Sequence, residues 1–181
     1  MSTRRMLLLS APLAALPGVA RAATAAEIDR DATAALARLY RAKPQARALG
    51  EKAVAILIFP EVTKAGLMIG GEIGYGALRR GDKTVGYYRT QAVSYGLQAG
   101  AQKFSYALFL MNEEAVRWLD RSDGWEIGSG PSFVMVDEAY AARMSSTTLT
   151  QDVYGIVFGQ SGLMAGIGLQ GSKITRYRPS R

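Results

Sequence analysis

"GLMIGGEIGYG", residues 66–76, sets five glycines into eleven positions among apolar neighbours, and near-echoes follow at "GLQAG" (96–100) and "GLMAG" (162–166). Three structures use such a stretch: a phosphate-cradling loop, a close-packed membrane helix, or a glycine-studded strand. A dinucleotide loop needs G-x-G-x-x-G between a strand and a helix. Gly71, Gly74 and Gly76 run in the reverse spacing, and no helical pattern follows. Gly66 and Gly70 match the membrane-helix packing pattern, which needs about 20 apolar residues, but Glu72, Arg79 and Arg80 end the segment early. A strand remains. Alternation puts Gly66, Met68 and Gly70 on one face and Leu67 and Ile69 on the other. In the echoes, Gly96, Gln98 and Gly100 share a face, as do Gly162, Met164, Gly166 and Gly168. Strand-interior glycine marks either sharp coiling or close approach of another group, such as a ligand. The spacing leaves both open, and it is not the fixed period of a solenoid.

Outward from this stretch, the chain begins with "MSTRR", an apolar run "MLLLSAPLAALPGV" and a small-residue site ending at Ala22. That order describes a cleavable export signal over residues 1–22. Arg4-Arg5 suggests the twin-arginine route, with an ordinary Sec signal as the alternative. Removing 22 of 181 residues leaves 159, enough for one domain with a core. Loss of Arg4, Arg5 and Arg21 lowers the net charge by three, from +7 to +4. The expected location is the periplasm or outside the cell, peripheral on the membrane. An exported chain has no use for nucleic acid, so an anionic surface is the better partner for its basic tail "KITRYRPSR".

The chain has no cysteine and no histidine. Disulfides, a lipidated cysteine, His-containing triads and the commonest zinc ligand are therefore excluded. No metal site, no cofactor and no catalytic constellation is expected. Asp137-Glu138 and Ser172-Lys173 are adjacent pairs, which on a strand point to opposite faces. Glu72, set among apolar residues, is either buried with a raised pKa or a cationic partner, or faces outward at an edge.

Thr24 and Glu27 fit a capping box for a first helix with Ile28, Ala32, Ala35, Leu36 and Leu39 on one side. Its cations Arg30, Arg38 and Arg41 lie on the other, so it either packs on its own sheet or lies on a membrane. Pro44 opens a second short helix, giving a helical segment over 23–52. From Ala53, "AVAILIF" reads as a buried strand stopped by Pro60. Further strand-like segments follow at 66–79, 84–98, 104–111, 132–137, 153–159, 163–169 and 172–177, with turns such as "RRGDK" between them. One helix, capped by Asn112 and covering roughly 112–121, is inserted, with Val116 and Leu119 facing the core. "STTLTQD" (146–152) is the expected mobile loop. The expectation is an α+β domain: N-terminal helices, then a β-rich body over 53–178 whose mostly antiparallel sheet closes into a barrel or sandwich.

Four blocks now stand in order: "AVAILIFPEVTKAGLMIGGEIGYGALRR", "GYYRTQAVSYGLQAGAQKFSYALFLMNEEAV", "GWEIGSGPSFVMVD" and "GQSGLMAGIGLQGSKITRY". Together they resemble the SYLF domain, found in bacteria and in eukaryotic actin-patch and phosphoinositide-binding proteins, over roughly 45–178. The resemblance implies a compact β-rich, non-catalytic module that binds acidic lipid; some eukaryotic members also bundle actin. The expected anionic phospholipid contacts are Lys64, Arg79, Arg80, Lys83, Lys173, Arg176 and Arg178, with Arg89 and Lys103 considered beside them. The segment 79–83 should project three charges from a hairpin tip. In 173–177, Lys173 and Arg176 should face opposite sides. Tyr75, Tyr87, Tyr88, Tyr95, Tyr106, Trp118 and Trp125 serve either as interfacial anchors or as core. Met68, Met111, Met135 and Met164 serve as an acyl pocket or as core. The other function is an envelope scaffold docking proteins on the glycine-rich sheet face.

Overall fold

The computed structural model describes residues 23–121, 123–145, 149–162 and 168–180. The expected signal 1–22 lies outside them, as do part of the 146–152 loop and residues 163–167, which include most of the second glycine echo. In chain order the elements are α1 (Ala25–Ala42), α2 (Pro44–Lys52), β1 (Ala55–Arg80), β2 (Lys83–Leu110), α3 (Glu113–Leu119), β3 (Trp125–Glu126), β4 (Phe133–Met135), α4 (Glu138–Ala141), β5 (Val153–Gly162) and β6 (Lys173–Tyr177).

The capping box forms: Thr24 Oγ1 accepts the Glu27 amide at 3.3 Å, and the Glu27 carboxylate accepts the Thr24 amide at 2.9 Å. Lys43 leaves helical geometry and Pro44 restarts it as α2, since proline fits a first turn where its missing N–H costs nothing. Asn112 caps α3 by accepting the Ala115 amide at 2.9 Å.

Strand segmentation differs from the sequence expectation. Pro60 does not stop the first strand, and the segments 66–79, 84–98 and 104–111 are parts of one long hairpin. At Pro60 the register passes from Phe59↔Tyr106 to Val62↔Phe104, so two residues oppose the single Ser105. A bulge of this kind tolerates proline's missing donor, and Ser105 Oγ donates to the Pro60 carbonyl at 2.7 Å. The hairpin turns at Gly81-Asp82, with Gly81 at φ +58°.

The hairpin also folds back on itself, and here the glycines act. A β-carbon on Gly66 would lie 2.2 Å from Gly70 Cα; on Gly74, 2.9 Å from the Glu61 carbonyl oxygen; on Gly76, 2.5 Å from that of Ile58. The second half of β1 therefore crosses its own first half at a distance only glycine permits. Between coiling and a ligand face, these contacts decide for coiling. A further register irregularity, from Leu67↔Ala99 to Ile69↔Tyr95, interrupts strict alternation at the bend.

The sheet runs β3-β6-β2-β5-β4, with β1 paired to β2. β6 pairs with β2 at 87–91 and β5 at 102–110, so the bent hairpin joins two wings of a curled half-barrel. One face of both wings forms a core of Leu57, Phe59, Leu78, Tyr88, Tyr106 and Ile174, closed by Trp125 and by Val116 and Leu119 of α3. On the other face, Ile56, Ile58, Phe109 and Ile156 receive Ile28, Ala32, Ala35 and Leu39 of α1. The α+β expectation holds, and α1 spends its apolar stripe on its own sheet.

Candidate functional site

The structure separates the seven expected cations. At the hairpin tip, Arg79 turns back to α1, donating to the Asp29 carbonyl at 2.9 Å and to Thr33 Oγ1 at 2.7 Å. Arg80 forms a two-pronged pair with Glu113 at 2.7 Å on each arm; the guanidinium holds the Glu113 carboxyl below its ordinary pKa. Lys83 alone stays exposed there. Arg176 pairs with Asp120 and lies over the Tyr88 ring, whose hydroxyl donates to the same carboxylate. Burial first, and Asp120 second, push the Tyr88 phenol up. Lys173 and Arg178 are exposed, and Lys64 is half-buried beside Glu72. Lys103 is paired with Glu61.

Register shows which side chains share the face opposite the core. Paired residues in adjacent strands point the same way, so Ala77, Tyr87 and Tyr177 form one row, Tyr75, Arg89 and Thr175 the next, and Ile73, Gln91 and Lys173 the third. Gly71 and Val93 follow, then Ile69. The first row lies beneath α1: Tyr87 donates to Asp29 at 2.8 Å and Tyr177 to the Ala23 carbonyl at 3.1 Å. Tyr75 packs on Tyr177 with ring centres 4.6 Å apart. Beyond it the face is uncovered. Ile73 is 46 % exposed, Ile69 62 % and Val93 67 %. Neither Arg89 nor Lys173 has an ion pair among the described residues; Glu126 stands opposite Lys173 in the sheet.

Sequence reasoning missed this surface. Alternation separated Ile69 from the glycines, but only the pairing register brings Ile69, Ile73 and Val93 together. The aromatic residues went the other way: Tyr88, Tyr106 and Trp125 are core, and Trp118 packs over Gly130 and under Arg121. Met111 and Met135 are partly buried against the two cores. The side chains of Met68 and Tyr95, and Met164, lie outside the description.

Facing inward at the same bend are Glu72, Thr90, Gln102, Tyr106 and Ser172, all buried. Glu72 is 6 % exposed and accepts a long hydrogen bond from Ser172 Oγ at 3.4 Å. Burial pushes its carboxyl above the ordinary carboxylate value, against the pull of Lys64 and Ser172. Thus the inward alternative for Glu72 is the observed one. Asp137 caps α4 through the Tyr140 amide at 2.7 Å, and Ser172 and Lys173 point apart. No group of three or more acidic residues that could hold a metal occurs among the described residues, nor does any helix long and apolar enough to cross a membrane.

Fold and face together define an α+β half-barrel whose sheet leaves one amphipathic stretch uncovered. Residues 91–179 match the Ysc84 family, described as Las17-binding protein actin regulator. That is the SYLF family, which the sequence blocks of this chain resemble. No curated protein matches the chain.

Proposed function

We propose that this is an exported, non-catalytic module that binds an anionic phospholipid surface. The observation carrying this reading is the outer face of β2 and β6, where Arg89 and Lys173, in successive rows, stand without ion-pair partners among the described residues beside exposed aliphatic side chains. Cations at a bilayer surface each contribute through the negative potential of acidic lipid. Adjacent apolar side chains favour a phospholipid surface over a free anion. The matched family's description concerns Las17 and actin; the match supports a binding role, and an exported chain meets phospholipid. The alternative scaffold using the glycine face is less well supported, because Gly74 and Gly76 are buried against β1 itself.

Co-sedimentation with vesicles tests the reading. The protein should pellet with phosphatidylglycerol-containing vesicles at low salt, less at high salt, and weakly with phosphatidylcholine alone. Failure with both vesicle types would overturn it.

A further inference from the structure

We propose that the bend of the hairpin, residues 64–73 with 91–102, is a preformed wedge that enters the bilayer surface with Val93, Ile69 and Ile73 leading. The inference rests on the anionic-lipid reading and adds the element, its depth and its orientation.

The rows of the outer face order the chemistry. Val93 and Gly71 lie two residues ahead of Gln91, Ile73 and Lys173. At the rise of an extended strand, two residues are about 7 Å. Arg89 and Tyr75 follow about 7 Å further back. Interfacial elements bury their apolar face about 5–10 Å into the boundary between head groups and acyl chains. With Val93 at that depth, Lys173 reaches the phosphate level and Arg89 lies just above it. Long cationic side chains suit these positions because the stem packs on apolar surface while the charge reaches the phosphates.

Charge along the bend agrees. Within 64–73 and 91–102 the one acid is Glu72, and it is turned inward and buried. The bend itself thus presents no carboxylate to an acidic membrane; the acid of this face, Glu126, stands behind it, cross-strand from Lys173. The shape is also fixed in advance. Gly66 closes against Gly70, and Ser172, beside β6, donates to Glu72 of β1. A wedge held this way loses little conformational freedom on contact. In water the same face would cost stability or invite self-pairing.

The chain has no cysteine, so a single introduced thiol carries an unambiguous probe. Val93→Cys labelled with an environment-sensitive fluorophore should brighten and shift to the blue with phosphatidylglycerol vesicles. Spin labels high on the acyl chain should quench it. A label at Gln45→Cys, on exposed α2, should do neither. Val93→Asp should weaken partitioning by at least about tenfold, one aliphatic contact being lost and a carboxylate being set against an acidic surface, with an unchanged thermal midpoint. If the proteins pellet with anionic vesicles while the probe at 93 stays in water, or if Val93→Asp binds normally, the wedge is wrong and the lipid reading stands. If no form pellets, both fall. Probe burial that grows with protein concentration without vesicles would make this face a contact between two copies and overturn the wedge.

Discussion

Gly76 stands directly against Phe59: a β-carbon on Gly76 would lie 2.7 Å from Phe59 Cδ1 and 2.5 Å from the Ile58 carbonyl oxygen. Seventeen positions apart on one strand, the two meet because β1 doubles back across itself. The side chain of Phe59 could yield; the carbonyl, held in the sheet, cannot yield cheaply.

Gly76→Ala should therefore destabilise the domain by about 1–3 kcal/mol or more, the usual cost of forcing volume into a packed site. Gly71 has no atom within 4 Å of its would-be β-carbon, so Gly71→Ala should be neutral or slightly stabilising. Denaturant melts of both variants check the contrast. Equal losses would contradict the fold-back as the reason for the glycines.

Glu72 should give the domain a pH dependence of unusual sign. Its carboxyl is raised by burial, so the native state holds the proton more tightly than the unfolded chain. Its stabilising contribution is complete below the ordinary value of 4.5 and is lost as pH rises through the raised folded value. Denaturation of wild type and Glu72→Gln between pH 4 and 8 should show the wild type losing ground to the variant as pH rises. Parallel curves would contradict the burial.

Asp152 should behave oppositely. The Ser132 hydroxyl, the Ser132 amide and Asn112 hold its carboxyl below the ordinary 3.8. That contribution is present above the ordinary value and is lost as pH falls through the folded one. Asp152→Asn should cost about 1 kcal/mol at neutral pH, less than a buried charged hydrogen bond because solvent screens this carboxylate. The gap between variant and wild type should narrow in acid.

Arg176 and Lys173 should separate stability from binding. Arg176 is committed to Asp120 and the Tyr88 ring, so Arg176→Ser should lower the thermal midpoint and leave vesicle partitioning nearly intact. Lys173→Ser should do the reverse. Equal loss of partitioning in both would restore the basic tail as a single contact patch.

Local features of this fold were legible in the sequence because they depend on neighbours. The Thr24–Glu27 box, Pro44 at a helix start, the Asn112 cap and the turn at 81–82 each need only a few residues to form. The opposite sides of Lys173 and Arg176 also followed from alternation alone. The continuity of the hairpin was not legible, since Pro60 reads locally as a stop and becomes a bulge only because Ser105 lies opposite it. The charges failed for the same reason. Arg79, Arg80 and Arg176 look like free tail and turn cations until Asp29, Glu113 and Asp120, distant in sequence, arrive beside them. The exposed patch of Ile69, Ile73 and Val93 depends on pairing register and on which part of the sheet α1 covers, which no local pattern encodes.

The most direct test compares two charge-matched double variants by vesicle partitioning at fixed salt. Arg89→Ser with Lys173→Ser removes two cations from the uncovered sheet face; Arg38→Ser with Arg41→Ser removes two exposed cations from α1. The sheet-face pair should lose most of its affinity for phosphatidylglycerol vesicles, while the helix pair binds like wild type. Equal loss, or loss confined to the helix pair, would contradict the assignment of this face as the membrane contact.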